Sequence, residues 1–503
     1  MDFGIIGPVL AFGGIGFIVA WAVIPLIRKN AAQRGGEQRS FHQTHKTPVP
    51  RLGGIALAAA FAVLALASAV LLDWVIIKPT EWVIIFGALA MFALGLWDDI
   101  RPLGARIKLV GQILIAVTVY FCGLRIENFT NPFTNIIEPT GLSGFFATVF
   151  WLVAMTNLIN LIDGIDGLAG GVAFMLMCLL AYVGLNHQDF CFLVSLGMAG
   201  ALLAFIYHNF PPAKIYMGDG GAYFLGFLIG LLTIQSSHKG TVAAALIAPV
   251  FALALPIVDV AWAIVRRGLK GLPIFRPDRH HIHHHLVASG RSHRRTVLIL
   301  YAFTVAFTLM AFAVFWSQGR LVPILFGFLF LMVLVAARSL GFVQDWFGVG
   351  RSLGTTTQLR KETRYALALN RWLELEAERC KTLEELWRGF VFVVWKLGFA
   401  DVKLALQDGE IAWSAKETPG GEVRRQRHEL HVGNVTAIEF TADATALSPQ
   451  VFEQLAELAA EAWTKSVLRW QTVNQGSIRL EPEWAAPDFA ASWEARKGFP
   501  LQA

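Results

Sequence analysis

Residues 143–167 read SGFFATVFWLVAMTNLINLIDGIDG, an apolar run that becomes polar at its end. The apolar part is long enough to cross about 30 Å of hydrocarbon as a helix. In the polar part, Asn157, Asn160 and Asp163 recur at every third position on one helical face, and Asp166 follows them. Polar groups in an apolar helix are costly unless they face a wet cavity. The stretch therefore predicts a membrane helix that ends in a functional site.

The whole chain has this apolar character. Of its 503 residues, 55% are hydrophobic and 16% are charged, whereas soluble domains carry roughly 45–50% and about 25%. This composition excludes a disordered, collagen-like or disulfide-stapled protein, and the four cysteines have neither metal-site nor disulfide spacing. The net charge of +6 fits the cytoplasmic loops of a membrane protein better than nucleic-acid binding, so no nucleic-acid partner is expected.

About eleven apolar stretches predict a polytopic α-helical membrane protein. They lie near 3–27, 52–72, 82–97, 107–121, 143–161, 168–185, 190–208, 219–235, 241–265, 295–316 and 321–341. If the N-terminus is outside, the inner loops hold about sixteen Lys and Arg residues and the outer loops hold about four. The positive-inside rule therefore places the N-terminus outside and the C-terminus in the cytoplasm.

After about residue 345 the sequence becomes that of a soluble domain. Thr382–Glu385 is a capping box that begins an amphipathic helix, and Asp408-Gly409 is a hairpin signal between two strands, Lys403–Gln407 and Glu410–Ser414. Two more strands and a long helix from Ser448-Pro449 complete a predicted cytosolic α+β domain. It resembles a GAF-type sensory domain only loosely, which implies no ligand. The predicted segments are 1–341 (transmembrane and catalytic), 342–357 (linker), 358–475 (cytosolic α+β domain) and 476–503 (C-terminal tail).

Charged residues gather where membrane segments meet the predicted cytoplasmic side. Asp98 and Asp99 end the third helix, although a carboxylate at a helix C-terminus opposes the macrodipole. Adjacent carboxylates repel unless a cation lies beside them, and Arg101 and Arg106 are expected to supply part of that compensation. A solvated helix end is the alternative to a metal or acid–base site.

Two further clusters suit phosphate. Asp219 precedes Gly220-Gly221 at a helix start, where backbone N–H groups bind phosphate and a carboxylate binds Mg²⁺, with an ordinary N-cap as an equal alternative. Five histidines between 280 and 285, with Arg276 and Arg279, form a cluster of donors. Without an HExxH pattern or a cysteine set, this cluster fits a pyrophosphate better than zinc, and a solvated loop is the alternative.

All these clusters fit one chemistry. Carboxylates hold a divalent cation, glycines and imidazoles approach phosphates, and the wall of the site is apolar. Phosphoryl transfer needs such positioning and charge neutralisation more than covalent help from the protein. A cytoplasmic site at the membrane edge suits a water-soluble nucleotide donor and a lipid phosphate acceptor.

Over residues 1–341 the chain resembles the polyprenyl-phosphate N-acetylhexosamine-1-phosphate transferase superfamily. The resemblance rests on the order, spacing and sidedness of four motifs: Asp98-Asp99, Asn157-x-x-Asn160-x-x-Asp163-Gly-Ile-Asp166-Gly-Leu-Ala, Met217-Gly218-Asp219 and His281-Ile-His283-His284. It implies a reaction dependent on Mg²⁺ or Mn²⁺. In that reaction, polyprenyl phosphate attacks the β-phosphate of a UDP-N-acetylhexosamine and releases UMP. One departure is Ala222, where the family commonly has Ser.

The resemblance also implies residue roles by motif position. Asp219 binds the metal with help from Asp98 and Asp99. One of that pair, with Asp98 favoured over Asp99, orients or deprotonates the lipid phosphate. The implied catalytic residues are Asp98, Asp99, Asp219, His281, His283 and His284, the histidines holding the diphosphate or the sugar. The implied substrate-binding residues are Lys46, Arg51, Asn157, Asn160, Asp163, Asp166, Asn209, Tyr216 and Arg279, with Asn209 and Tyr216 against uracil.

The eleventh span and the short histidine motif favour the type that transfers GlcNAc-1-phosphate to undecaprenyl phosphate. That type initiates O-antigen or other cell-envelope polysaccharide synthesis in the bacterial inner membrane. The phospho-MurNAc-pentapeptide transferase of peptidoglycan synthesis is the alternative within the family. A cation or proton transporter is the alternative from another class, but transporters hold such charges near the midplane and often show a repeat. The hexosamine, the partner of the C-terminal domain and the oligomeric state, a homodimer included, stay open.

Overall fold

The computed structural model divides into two compact units. The first unit comprises Met1–Ile264 and Pro277–Asp345, and the second comprises Val265–Arg276 and Trp346–Ala503. The residues that the structure describes are 3–33, 49–70, 78–130, 137–185, 189–237, 249–273, 292–317, 321, 324–328, 330–331, 353–415, 422–475 and 478–480.

The first unit is helical. Within the described residues its long helices are α1 Phe3–Gln33, α2 Gly53–Val70, α3 Pro79–Ile100, α4 Ala105–Phe121, α5 Gly141–Ile162, α6 Leu168–Gly184, α7 Phe190–Asn209, α8 Gly218–Ser237, α9 Ala254–Lys270 and α10 His293–Trp316. A short antiparallel pair, β1 Asn128–Thr130 and β2 Ile137–Pro139, precedes α5. Helix α9 runs on into the second unit.

Five of these helices are long and apolar enough to cross a membrane, judged by length and composition within the described residues. They are Leu10–Asn30, Pro79–Ile100, Gly141–Ile162, Phe190–Asn209 and Arg294–Ala313. The apolar stretches Gly53–Ser68 and Leu168–Gly184 are helical but shorter. The chain is therefore a mostly helical membrane protein. Ten of the predicted spans overlap helices α1 to α10, and the predicted span at 321–341 lies largely outside the described residues.

Helix α9 ends later than the sequence pattern predicts. The predicted span ends at 265, whereas the helix continues through Arg267 to Lys270. Gly271 then takes a left-handed conformation with φ 72°, and the N–H of Leu272 donates to the carbonyl of Arg267 at 3.0 Å. This is a Schellman motif. Gly271, and not the charged residues before it, therefore terminates the helix.

Close backbone contacts hold the start of α8 against α2 and α3. A Cβ atom at Gly95 would lie 2.5 Å from the carbonyl oxygen of Asp219, and one at Gly54 would meet the backbone nitrogen of Gly221. The N–H of Gly54 also donates to the carbonyl of Met217 at 2.8 Å. Because only glycine fits such approaches without a shift, these positions set where the first turn of α8 lies.

The second unit combines helices with an antiparallel sheet. Its described helices are α11 Leu353–Glu376, α12 Leu383–Lys396 and α13 Pro449–Asn474. Its strands are β3 Asp401–Leu406, β4 Glu410–Ser414, β5 Val423–Val432 and β6 Val435–Asp443, in the sheet order β4-β3-β6-β5. Aromatic side chains that are fully buried, among them Trp387, Phe390, Phe440 and Trp463, form the centre of its core.

Local predictions for this unit are confirmed. The Thr382 hydroxyl accepts a hydrogen bond from the N–H of Glu385 at 3.2 Å, and the capping box is complete. Strands β3 and β4 pair as the predicted hairpin around Asp408-Gly409. Helix α11, by contrast, begins at Leu353, inside the stretch predicted as a linker.

Candidate active site

Helix ends bring the acidic residues of the first unit together. Asp98 and Asp99 lie in the last turn of α3, and Asp219 lies in the first turn of α8. Asn160 lies in the last turn of α5. The motifs predict that these four residues meet. A fifth residue joins them, Lys108 in the first turns of α4, which the sequence analysis missed.

Lys108 connects the two acidic motifs. Its ammonium group forms ion pairs with Asp98 Oδ2 and, at 2.9 Å, with Asp219 Oδ2. The other oxygen of Asp219 accepts a hydrogen bond from Asn160 Nδ2 at 3.1 Å. Asp98 is buried, whereas Lys108 and Asp219 are partly exposed. Removing one partner of such a pair leaves a poorly solvated charge without compensation, so the cluster depends on all its members.

The compensating cation differs from the one expected. Arg101 and Arg106 are exposed, and neither forms an ion pair with these carboxylates in the part of the chain that the structure describes. Lys108 takes this place. The sequence signal for it was that Lys108 is the only charged residue within the predicted span 107–121, and a charge inside a membrane span is energetically expensive.

The adjacent aspartates make different contacts. Asp99 accepts hydrogen bonds from the first turn of α8: its Oδ1 from the N–H of Asp219 at 2.9 Å and its Oδ2 from the N–H of Gly220 at 2.8 Å. Asp98 accepts one from the N–H of Leu103 at 2.6 Å, and its other oxygen belongs to the ion pair. Asp99 thus satisfies helix N-terminal donors that lack partners within the helix. It positions Asp219, and Asp98 faces the cation.

The polar stripe on α5 also reaches α4. Asn157 Nδ2 donates to Gln112 Oε1 at 2.7 Å and to the carbonyl of Val153 at 2.8 Å. Gln112 is buried and lies one turn after Lys108, on the same face of α4. This contact joins the end of α5 to the helix that carries the cation.

Asn209 and Asp166 hold the segment that leads into α8. Asn209 donates to the carbonyl of Ile215 at 2.7 Å and accepts from the N–H of Gly167 at 2.8 Å. Asp166 accepts from the N–H of Ala213 at 2.9 Å. Both side chains are therefore engaged with backbone groups. This arrangement supports a positioning role for Asn209, and its expected contact with uracil stays a prediction.

Asp163 lies near the same carboxylates. Burial and the carboxylates of Asp219 and Asp99 raise the pKa of Asp163 well above its usual range, although Arg51 has a smaller lowering effect. Burial and the carboxylate of Asp166 raise the pKa of the Tyr216 hydroxyl to about 12. Asp163 therefore lies in a field of excess negative charge, which a bound cation would relieve.

Five predicted site residues lie outside the described residues: Lys46, Arg279, His281, His283 and His284. Arg51, in the same predicted set, is described and exposed.

An apolar groove of about 800 Å³ runs beside the polar cluster. Its walls come from α4, with Ile113 and Val117, and from α5, with Phe146 and Phe150. Asn157 also lines it, and this residue contacts the α4 side chain one turn from Lys108. One end of the groove therefore lies at the polar stripe of α5, at Asn157.

The carboxylates suit Mg²⁺ among the divalent cations. Within the described residues, no group of three His, Cys, Asp or Glu side chains is arranged to hold a metal ion. Asp98 and Asp219 do share one cation, the ammonium group of Lys108. Mg²⁺ is commonly held by one or two carboxylates, with substrate phosphates and water as the other ligands. This pair fits such a site.

The chain is similar in sequence to known proteins. A profile described as glycosyl transferase family 4 matches residues 81–237, which include Asp98, Lys108 and Asp219. A probable undecaprenyl-phosphate N-acetylglucosaminyl 1-phosphate transferase of Bacillus subtilis is 32% identical over 335 residues, covering 66% of this chain and 92% of that relative. A phospho-N-acetylmuramoyl-pentapeptide-transferase of Desulforudis audaxviator is 32% identical over 351 residues, 63% of this chain and 97% of that relative. An undecaprenyl-phosphate alpha-N-acetylglucosaminyl 1-phosphate transferase of Salmonella typhi is 28% identical over 293 residues, covering 56% of this chain and 78% of that relative.

Replacing Asp99 by Asn should destabilise the start of α8. An amide has one acceptor oxygen, so its NH₂ group would face a backbone N–H, and one donor would stay unsatisfied. The expected cost is about 1–3 kcal/mol, measured as a lower Tm in detergent. Asp443→Asn is the control, because both bonds from Thr445 end on one oxygen, Oδ1, which an amide retains. Equal Tm values for Asp99→Asn and the wild type would contradict the positioning role.

Proposed function

Since this chain belongs to glycosyl transferase family 4, we propose that it transfers GlcNAc-1-phosphate from UDP-GlcNAc to undecaprenyl phosphate and releases UMP. Membership makes it an enzyme of a membrane transferase family. The observation that carries the proposal is the cluster of Asp98, Lys108 and Asp219 beside an apolar groove. A charged site for phosphates next to an apolar channel is what a lipid phosphate acceptor requires.

The acceptor enters from the lipid side. Its polyprenyl chain lies in the groove between α4 and α5, against side chains such as Phe146 and Phe150. Its phosphate then reaches the polar end, near Asn157. Support comes from the lining, which is apolar apart from that one amide. Such a groove would bind the apolar prenyl chain and leave the charged phosphate near Lys108.

The donor and acceptor phosphates meet at the carboxylate cluster. An oxygen of undecaprenyl phosphate attacks the β-phosphorus of UDP-GlcNAc, and the bond from that phosphorus to the UMP oxygen breaks. Asp98 and Asp219 would hold Mg²⁺ or Mn²⁺, which neutralises phosphate charge when bound. Asp98 orients the acceptor phosphate or takes its proton, and Lys108 supplies fixed positive charge to the transferring group. Asp99 keeps Asp219 in place.

The nucleotide and the sugar bind to residues of the loops around this cluster. Asn160, Asp163 and Asp166 line the nucleotide side, and Arg51 approaches from the loop before α2. Asn209 and Tyr216 shape the uracil side. The loop residues proposed to hold the diphosphate or the sugar are Lys46, Arg279, His281, His283 and His284.

The proposed placement is the bacterial inner membrane. Eleven spans, with the N-terminus outside, put the site and the second unit in the cytoplasm, where UDP-sugars are made. The lipid-linked product would start O-antigen or another envelope polysaccharide. Support comes from the excess of Lys and Arg in the loops on that side.

A second candidate within the family is the phospho-MurNAc-pentapeptide transferase reaction. The observation that favours it is the Desulforudis audaxviator relative, which the chain covers almost completely at 32% identity. The acceptor is the same in both reactions, so the donor sugar distinguishes them.

Purified protein in detergent should release UMP when given Mg²⁺, undecaprenyl phosphate and UDP-GlcNAc. A panel of UDP-GlcNAc, UDP-GalNAc and UDP-MurNAc-pentapeptide, followed by chromatographic UMP detection, identifies the donor. Asp219→Asn, which removes the charge shared with Lys108, serves as the inactive variant. If a folded wild-type protein releases no UMP with any donor, the transferase proposal fails. Release with the muramyl donor alone would favour the second candidate.

Replacing Lys108 by Met should lower kcat by about 100-fold or more, because a preorganised positive group beside the transferring phosphate is lost. Arg106→Met is the matched control. Arg106 is an exposed cation two residues earlier, and it forms no ion pair within the described residues. Steady-state UMP release and Tm are measured for both variants. Wild-type kcat in a folded Lys108→Met protein would remove Lys108 from the mechanism.

Filling the groove should affect the lipid substrate alone. Ala154 lines the groove, so Ala154→Trp is expected to raise KM for undecaprenyl phosphate severalfold and to leave KM for UDP-GlcNAc unchanged. Ala90→Trp, at an exposed position of α3 outside the groove lining, is the control. An unchanged lipid KM in Ala154→Trp would show that the prenyl chain binds elsewhere.

A further inference from the structure

Helix α11 exposes one broad face. At about 100° per residue, its exposed positions between 359 and 376 fall within an arc of about 140°. They are Arg360, Lys361, Arg364, Tyr365, Ala368, Arg371, Trp372 and Leu375. The opposite side, with Ala366, Asn370 and Leu373, is buried, and the Asn370 amide donates to the carbonyl of Leu458 in α13 at 2.9 Å. We call the exposed arc the α11 face.

Arginines and aromatic side chains lie at opposite edges of the α11 face. Arg364 and Arg371 follow one edge, whereas Tyr365 and Trp372 follow the other. Between them lie Leu375, Ala368 and Lys361, the last close to the aromatic edge. Lys361, Arg364 and Arg371 form no ion pair with any acidic residue in the described ranges. The face is therefore basic as well as apolar.

The aromatic edge continues onto α12. The rings of Trp372 and Phe392 have centroids 5.6 Å apart, and those of Phe392 and Trp395 are 6.2 Å apart. Lys396 Nζ lies 4.6 Å from the centroid of the Trp395 ring. Tryptophan, tyrosine and snorkelling basic residues are the groups enriched where proteins meet the membrane interface.

The chain enters this unit directly from a predicted membrane span. Arg360, at the edge of the α11 face, donates to the carbonyl of Gly268 at 2.7 Å. Gly268 follows the end of the predicted span 241–265 by three residues, about 4.5 Å along a helix. Leu272 packs on the core of the same unit. A hydrogen bond thus joins the edge of the α11 face to a residue that follows a predicted membrane span closely in the chain.

From these contacts we propose that the α11 face binds the anionic surface of the membrane. Arg364 and Arg371 contact lipid phosphates, and Tyr365 and Trp372 insert at the headgroup level. This is how basic amphipathic helices bind membranes. A second copy of the chain fits less well, because both copies would bring basic side chains into one interface and the exposed positions of the face include no acidic residue to neutralise them. The proposal is independent of the transferase activity.

The test is photo-crosslinking in lipid nanodiscs. A diazirine amino acid replaces Ala368, at the centre of the face, or Ala412, an exposed position of β4 that serves as the control. The full chain is placed in phosphatidylcholine alone or in a mixture with phosphatidylglycerol, and mass spectrometry measures lipid adducts. We expect adducts at 368 and few at 412, with a severalfold gain in the anionic mixture.

Charge variants complete the experiment. Arg364→Gln/Arg371→Gln should lower the adduct yield at 368 severalfold in the anionic mixture. Arg425→Gln/Arg427→Gln, which removes two exposed charges from β5, should leave the yield unchanged. Adducts to a second protein chain, an absence of lipid adducts at 368, or equal yields in both lipid mixtures would each overturn the proposal.

Discussion

Lys108 lies between Asp98 and Asp219, at a level where helices of a membrane protein begin and end. Charges in such surroundings are poorly solvated, so each needs a partner within reach. Three separate helices meet to satisfy this need, because α3, α4 and α8 each bring one member of the cluster. Much of the arrangement around the site follows from keeping these charges together.

The backbone sets the positions of those charges. Glycines let α2 and α3 approach the first turn of α8 so closely that a Cβ atom at Gly54 or Gly95 would clash with its backbone. Asp99 accepts the N–H groups of Asp219 and Gly220 in this turn. Asp219 is therefore held by its own main chain as well as by its side-chain partners. A site built in this way is organised before substrate binds, which is what electrostatic stabilisation of a transferring phosphate requires.

One feature of each unit suits contact with lipid. In the first unit, an apolar groove lies between α4 and α5 and ends at Asn157. In the second unit, α11 exposes aromatic and basic side chains next to the segment that follows a predicted span. An exposed apolar surface is costly in water. The groove has a physical reason in a protein that works against lipid, and the α11 face would share that reason if it binds the membrane as proposed.

The sequence by itself determined the features that depend on neighbouring residues. Apolar length predicted the helices of the first unit, the turn at Asp408-Gly409 predicted a hairpin, and Thr382 predicted a capping box, because each signal acts within a few residues. The motifs also predicted that Asp98, Asp219 and Asn160 belong to one site. Helix α11 was not predicted, because its first residues resemble a linker and the first helix signal of the second unit was the capping box at Thr382.

Only the tertiary structure decided how the site residues share their roles. Asp219 lies 111 positions from Lys108 and 120 from the carboxylate of Asp99 that caps it. No local period encodes such contacts, so the sequence favoured Arg101 and Arg106 as the cations and did not predict that Asp99 caps the first turn of α8. Helix packing makes that choice, because the close approach of backbones at glycine determines which side chains can reach one another.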